Sequence, residues 1–332
     1  MPLGRTGLRV SELCLGTMTF GDSTPRDEAR NLLDRFADAG GNFLDTALNY
    51  AGGASEEMLG QLLAGRRDRF VVGSKYTAPL VSGDRNSGGN HAKSLRLALD
   101  TSLRRLGTDY IDLYWVHLWD GATPLDELVQ RLDDAVRAGK VLHVGISNAP
   151  AWVVARAVTL ADAHQLQRFD AIQVEYSLVE RTVERELIPM SSELGLTVLA
   201  WGPLAGGLLT GKYLEGGEGG RLGRDDRRLS ERNLEVAREL TAAAAALDAS
   251  PAAVALAWLR ARRRAPIPVM GARTAAQLEQ LLACVDLRLP AEVVERLDGV
   301  SAVTMGYPHE LLARLRRDRT PPARRAAACC RG

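Results

Sequence analysis

Apolar and polar positions along this chain switch repeatedly between two periods. Short apolar runs of strand type occur at 13–18 (Leu-Cys-Leu-Gly-Thr-Met), 42–47, 70–75, 110–117, 141–147, 171–177, 197–202 and 266–272. Between them lie stretches with a helical stripe. Over 25–39, Ala29, Leu32, Leu33, Phe36 and Ala37 share one face, and Gly40-Gly41 stops the helix. Over 92–106, Leu95, Leu99, Leu103 and Leu106 repeat the device before Gly107, and a third stripe over 125–138 ends at Gly139. Eight strand–helix alternations with short loops, over ~250 residues, predict an α/β chain folded as a (β/α)8 barrel rather than an open sheet.

The regular spacing breaks in a few places. Residues 3–10 have the turn chemistry of a small N-terminal hairpin. The strand ending near Gly202 and the one starting near Pro266 are separated by a long segment: a Gly-rich stretch at 205–213, a Gly/Arg/Asp-rich stretch at 215–228, then two helices. A long loop also follows the third strand, over 76–90. Long loops at the carboxyl ends of barrel strands are expected to act as lids or ligand loops. After the last strand the pattern predicts helices over 274–284 and 290–297. It predicts one barrel domain over 1–313 and an unstructured Arg-rich tail over 314–332.

Composition adds four points. The net charge is +1, and the tail alone carries seven Arg against one Asp, which leaves −5 for the rest. No bulk field therefore favours nucleic acid or an anionic membrane. The four cysteines (Cys14, Cys284, Cys329, Cys330) have no metal spacing and no paired framework. The vicinal pair Cys329-Cys330 reads as incidental. The first residues lack the apolar core of a signal peptide and no apolar run is long enough to span a bilayer, so a reducing cytoplasm is expected. Finally, only four of the 42 basic residues are lysines. A lysine at a strand end therefore asks for a reason.

Three successive strands each deliver a titratable group at the carboxyl end, where such a barrel builds its active site. Asp45, with Tyr50 just beyond it, follows the second; Lys75 closes the third; His117 closes the fourth. A phenol has an unperturbed pKa of about 10 and is a poor acid at neutral pH unless a cation stabilises its anion. Lys75 supplies the cation, Asp45 holds it in place, Tyr50 supplies the proton, and His117 points an N–H at the oxygen being protonated. That set suits a carbonyl becoming an alcohol. Each residue alone has a plainer reading, as a loop acceptor, a half-buried aromatic or a core histidine; together at three adjacent strand ends the chemical reading is preferred.

The constellation has no hydride source, so a cofactor must bring one. Ser147-Asn148 after the fifth strand and Gln173 in the sixth are amide-reading side chains suited to a nicotinamide carboxamide. Trp201 ends the seventh strand with a flat face for a ring. Gly271-Ala-Arg-Thr at the eighth opens a helix, where backbone N–H groups and Arg273 suit a phosphate. No Rossmann fingerprint follows an early strand.

With those residues placed, the chain resembles the aldo-keto reductase family over roughly 3–312. The opening segment 8–21, Phe43-Leu-Asp-Thr-Ala with Tyr50, Gly145-Ile-Ser-Asn, Trp201-Gly-Pro-Leu, Leu209-Thr-Gly-Lys-Tyr and Tyr307-Pro-His-Glu-Leu-Leu carry the resemblance. It implies Asp45, Tyr50, Lys75 and His117 as a catalytic tetrad and NADPH extended across the barrel top. It also implies Thr17 and Met18 near the nicotinamide. Gly202, Pro203, Leu204, Gly206 and Lys212, in and around the 203–212 loop, would lie over the pyrophosphate, with Gly271, Arg273 and Gln277 at the adenosine phosphate. The family often carries Glu-Asn where this chain has Gln280-Leu281, which implies the loss of one hydrogen bond to adenine. The expected activity is NADPH-dependent reduction of a small aldehyde or a keto-sugar, without nucleic-acid or membrane partners. A different class, a cofactor-sensing regulatory subunit like relatives that resemble ion-channel β subunits, is disfavoured by the intact tetrad. A metal-dependent hydrolase is disfavoured by the scattering of the five histidines.

Overall fold

The computed structural model describes residues 1–214, 221–223 and 225–319. Eight strands, β1 (Cys14–Gly16), β2 (Phe43–Asp45), β3 (Val71–Tyr76), β4 (Ile111–Val116), β5 (Val141–Ser147), β6 (Ala171–Glu175), β7 (Thr197–Trp201) and β8 (Ile267–Met270), pair in parallel and in chain order. The barrel closes where β1 meets β8, with Cys14 opposite Val269. The helices are α1 (Arg26–Asp38), α2 (Ala54–Leu63), α3 (Ala92–Leu106), α4 (Leu125–Arg137), α5 (Ala151–His164), α6 (Leu187–Leu194), α7 (Glu231–Ala246), α8 (Pro251–Arg260), α9 (Ala275–Leu282), α10 (Ala291–Val300) and α11 (His309–Arg319). Among the described residues no single helix is long and apolar enough to cross a membrane.

The stripe expected on α1 is the face it buries: Ala29, Leu32, Leu33, Phe36 and Ala37. Leu32 and Leu33 are fully buried, and truncating either to Ala would cost about 2–5 kcal/mol. α3 stops where the sequence predicts, because Gly107 takes the left-handed conformation that closes a helix. A second, smaller core fills the barrel itself and includes Cys14, Phe43, Val71, Leu113, Trp115, Leu199 and Ile267. Leu3 and Val10 of the N-terminal hairpin join this interior cluster. The hairpin is tied down by the Gly4 N–H, which donates to Thr197 Oγ1 at 2.6 Å, at the start of β7. It therefore plugs the barrel end opposite the one that carries Asp45, Lys75 and His117.

Three boundaries depart from the periodicity. β1 ends at Gly16, short of its apolar run: the Thr17 N–H makes the last ladder bond, to Asp45 O, and the Thr17 hydroxyl turns to the same oxygen. The 274–284 pattern ends as a helix at Leu282 and tightens into a 3-10 turn over Ala283–Val285. The tail expected from 314 begins as helix, since α11 continues to Arg319. The rest of that tail, with the vicinal cysteines, lies outside the described residues, as do 215–220 and 224 of the expected lid.

Candidate active site

The barrel brings the four sequence-picked groups together. Lys75 is fully buried and Asp45 is 2% exposed. The Lys75 ammonium donates to Asp45 Oδ2 at 2.5 Å, to the Thr46 carbonyl at 2.8 Å and to Tyr50 Oη at 3.0 Å. Three oxygens thus take the three hydrogens an ammonium offers. Burial alone opposes the charge, but the Asp45 carboxylate and then Tyr50 outweigh it and hold the Lys75 pKa above its ordinary value. The second oxygen of Asp45 accepts from Gln173 Nε2 at 3.0 Å. Asp45 is therefore gripped from both sides, by β3 and by β6.

His117 lies one residue beyond β4, its ring edge-on to Tyr50 with centroids 6.1 Å apart. Burial first, and then the Lys75 charge, pull its pKa down to about 4. At neutral pH the imidazole is uncharged and carries a single N–H.

The loop that presents Tyr50 is held by residues that nothing in the sequence pattern singles out. Arg105 on α3 donates to the Leu48 carbonyl at 2.8 Å and pairs with the fully buried Glu56 of α2. Glu56 in turn accepts from Ser74 at 2.6 Å, next to Lys75 in the chain. Thr17, Thr46 and Ser55 form a buried hydroxyl cluster beside Asp45. Below, Trp115 fills the barrel in register with Lys75. Gly73 and Gly145 make room for it: a Cβ on Gly73 would lie 2.9 Å from the Trp115 indole nitrogen and 3.5 Å from Asp45 Oδ1, and one on Gly145 would overlap the ring. A glycine inside an apolar strand run is the signal for such a close approach.

The cofactor-side residues divide into two groups. Several have partners within the protein. Ser147 donates to the Gln173 carbonyl at 2.8 Å, and one N–H of the Gln173 side-chain amide goes to Asp45. Asn148, at positive φ, donates to the His117 carbonyl at 2.9 Å and accepts from Trp201 Nε1 at 3.2 Å. It ties the β4, β5 and β7 ends together while remaining exposed at the rim. Thr17 is buried in the hydroxyl cluster. Gln277 caps α9, accepting from the Arg273 N–H at 2.9 Å, while Thr274 accepts from the Gln277 N–H and Glu28 from the Ala275 N–H. Those three amides are already satisfied, and Arg273 at this end is exposed. Leu281 packs in the core at 4% exposure, so its side chain cannot reach a ligand; the i, i+3 repeat of Leu278 and Leu281 carries that signal.

The other group is open. Met18 is 37% exposed, and Trp201 and Gly202 are half-buried at the mouth while Pro203 packs inward and Leu204 is half-buried. Gly206 and Gly207 have φ of 69° and 95°, and their missing side chains let Arg228 and Lys212 fold across the backbone. Lys212 rests on the Tyr213 ring, 5.1 Å from its centroid. Gly271 is exposed with open space around it. Lys212 and Arg273 have no carboxylate partner among the described residues.

The model of the aldo/keto reductase family matches residues 12–302. The chain belongs to that family. It is 40% identical to norsolorinic acid reductase stcV of Emericella nidulans, with 92% of this chain and 82% of that one covered. It is 37% identical to an aryl-alcohol dehydrogenase of Pestalotiopsis microspora, at the same coverage. It is also 37% identical to the uncharacterized oxidoreductase YrpG of Bacillus subtilis, covering 90% of this chain and 94% of that one. This aldo/keto reductase is an oxidoreductase, and its family generally uses NAD(P)H. The donor set fits such a group: Lys212 and Arg273 have no carboxylate partner among the described residues, and the backbone at Gly271 is open, which suits a phosphorylated dinucleotide.

Proposed function

We propose that this chain reduces an aldehyde or ketone to the alcohol with NADPH, Tyr50 acting as general acid. The observation that carries the reading is Lys75: a fully buried ammonium bonded at once to Asp45 and Tyr50. NADPH, when bound, supplies the hydride to the carbonyl carbon. Tyr50 gives its proton to the carbonyl oxygen as charge develops there. Lys75 stabilises the phenolate left behind, and Asp45 keeps the ammonium charged and in place. His117, neutral at working pH, donates its N–H to the same oxygen without bringing a competing charge.

Arg273 would hold the 2′-phosphate, Lys212 with Gly206 the diphosphate, and Trp201 with Met18 the ring end. One barrel domain over 1–313 carries the activity, in a cytoplasmic setting, with no nucleic-acid or membrane partner. The aryl-alcohol dehydrogenase among the relatives favours a carbonyl attached to an aromatic ring over a keto-sugar.

The test is oxidation of NADPH, followed at the nicotinamide absorbance, against aldehydes, aryl ketones and keto-sugars. Tyr50→Phe is expected to lower turnover about 10²–10⁴-fold. NADPH binding without oxidation by any carbonyl would replace this reading with that of a cofactor-sensing subunit.

A further inference from the structure

The mouth of the barrel carries an aromatic pair that the proposed chemistry does not use. Trp119 lies two residues beyond His117, so their Cα atoms are at most ~7.6 Å apart. Trp152 sits in the first turn of α5, just after Asn148. The two indoles meet edge to face, with centroids 5.3 Å apart and planes at 87°. Trp119 is half-buried against the core, while Trp152 is 57% exposed. An indole that far into solvent at the rim of a site is uncommon for the largest apolar side chain.

The backbone around Trp119 is fixed on every side. Asn90, fully buried, donates from Nδ2 to the Leu118 carbonyl at 3.0 Å and accepts at Oδ1 from the Asp120 N–H at 2.8 Å. Asp120 Oδ2 accepts in return from the Asn90 N–H at 2.8 Å. The Trp119 N–H itself points to the Asn148 carbonyl at 3.4 Å. The same Asn148 holds the His117 carbonyl and the Trp201 indole. Trp119 is therefore braced to the frame that positions His117, and the Trp152 indole meets that braced ring edge to face.

We propose that Trp152, backed by Trp119, is the specificity-determining surface of this enzyme, and that it selects substrates whose carbonyl is attached to a planar, fused aromatic ring system. The inference rests on the carbonyl-reductase reading above and names the substrate class for that site. A planar bicyclic or larger ring covers the exposed indole while its carbonyl reaches Tyr50 and His117. A saturated ring of similar size presents no flat face and makes a poorer contact.

Trp152→Leu keeps an apolar side chain at an exposed position, where folding is not at stake; Trp152→Phe keeps an aromatic face. The readout is the ratio of kcat/KM for naphthaldehyde to that for cyclohexanecarbaldehyde, with NADPH. The wild type is expected to prefer naphthaldehyde. The ratio is expected to fall about 2- to 12-fold in Trp152→Leu, the range an aromatic pair contributes beyond area. The loss should appear in KM for naphthaldehyde more than in kcat, and Trp152→Phe should restore much of it. Equilibrium binding of naphthalenemethanol, with and without NADPH, gives a readout independent of turnover and is expected to weaken by a similar factor in Trp152→Leu. Weakened binding in a protein that reduces no carbonyl would keep the aromatic surface and remove the reductase reading. An unchanged ratio with unchanged binding would overturn the proposal.

Discussion

The β2–β4 arc and the β7–β8 arc of the same barrel mouth are built on opposite terms. In the first, each ammonium hydrogen of Lys75 and both oxygens of Asp45 already have partners within the protein. In the second, Lys212 and Arg273 have no carboxylate partner among the described residues, and the backbone at Gly271 is open. A group that must move a proton gains from being pre-positioned, because reorganisation during the reaction adds to the barrier. A group that must hold an anion gains from being left unpaired until the anion arrives, since an internal carboxylate would compete for it. The first arc reads as chemistry and the second as grip.

The largest expected effect breaks the first arc. Lys75→Met leaves the Asp45 carboxylate buried without its cation and is expected to cost about 3–5 kcal/mol of stability, measured by chemical denaturation, together with most of the turnover. Lys75→Arg should be nearly as damaging to turnover, because a planar guanidinium does not fit the space of an ammonium ringed by three oxygens. An active Arg variant would reduce Lys75 to generic charge.

In the second arc, Arg273→Ala is expected to weaken NADPH roughly 10- to 150-fold and leave NADH nearly unchanged, since hydrogen bonds to charged groups are worth about 1.5–3 kcal/mol. Glu279, on the helix that follows, pairs with Arg35 rather than with Arg273. Glu28→Gln sharpens the same point: it keeps an acceptor for the Ala275 N–H but removes a negative charge near the proposed phosphate. NADPH should bind about 2- to 5-fold tighter, the scale of a half-exposed charge, with NADH unmoved; titrations of both cofactors check it.

A separate effect is on pH. His117 has a folded pKa near 4, below its unfolded value. The unfolded state therefore binds more protons in this window, and stability present above about pH 6.5 is lost as pH falls towards 4. His117→Gln should flatten the pH dependence of the thermal midpoint between those values.

Much of the barrel is legible in the amino-acid sequence because its strands are short apolar runs and its helices carry one apolar stripe. The runs alone are enough to place Asp45, Lys75 and His117 at strand ends. Partners set by tertiary register leave no such trace. Gln173 reaches Asp45 across 128 residues, and an amide that suits a carboxamide equally suits a carboxylate. Asn148 and Gln277 read as ligand-facing in the sequence, which gives no sign that their amides also brace strand ends and the start of α9. α11 is hidden because its Arg-rich composition resembles a tail, although Leu311, Leu312 and Leu315 supply a helical repeat.

The difference between the two arcs is tested most directly by one crossed measurement, with turnover and NADPH affinity determined separately for Tyr50→Phe and Arg273→Ala. The account predicts that Tyr50→Phe loses turnover about 10²–10⁴-fold with NADPH affinity kept, and that Arg273→Ala loses NADPH affinity while turnover at saturating cofactor stays near the wild-type level. Tyr50→Phe turning over within a few-fold of wild type, or both variants losing both properties together, would contradict it.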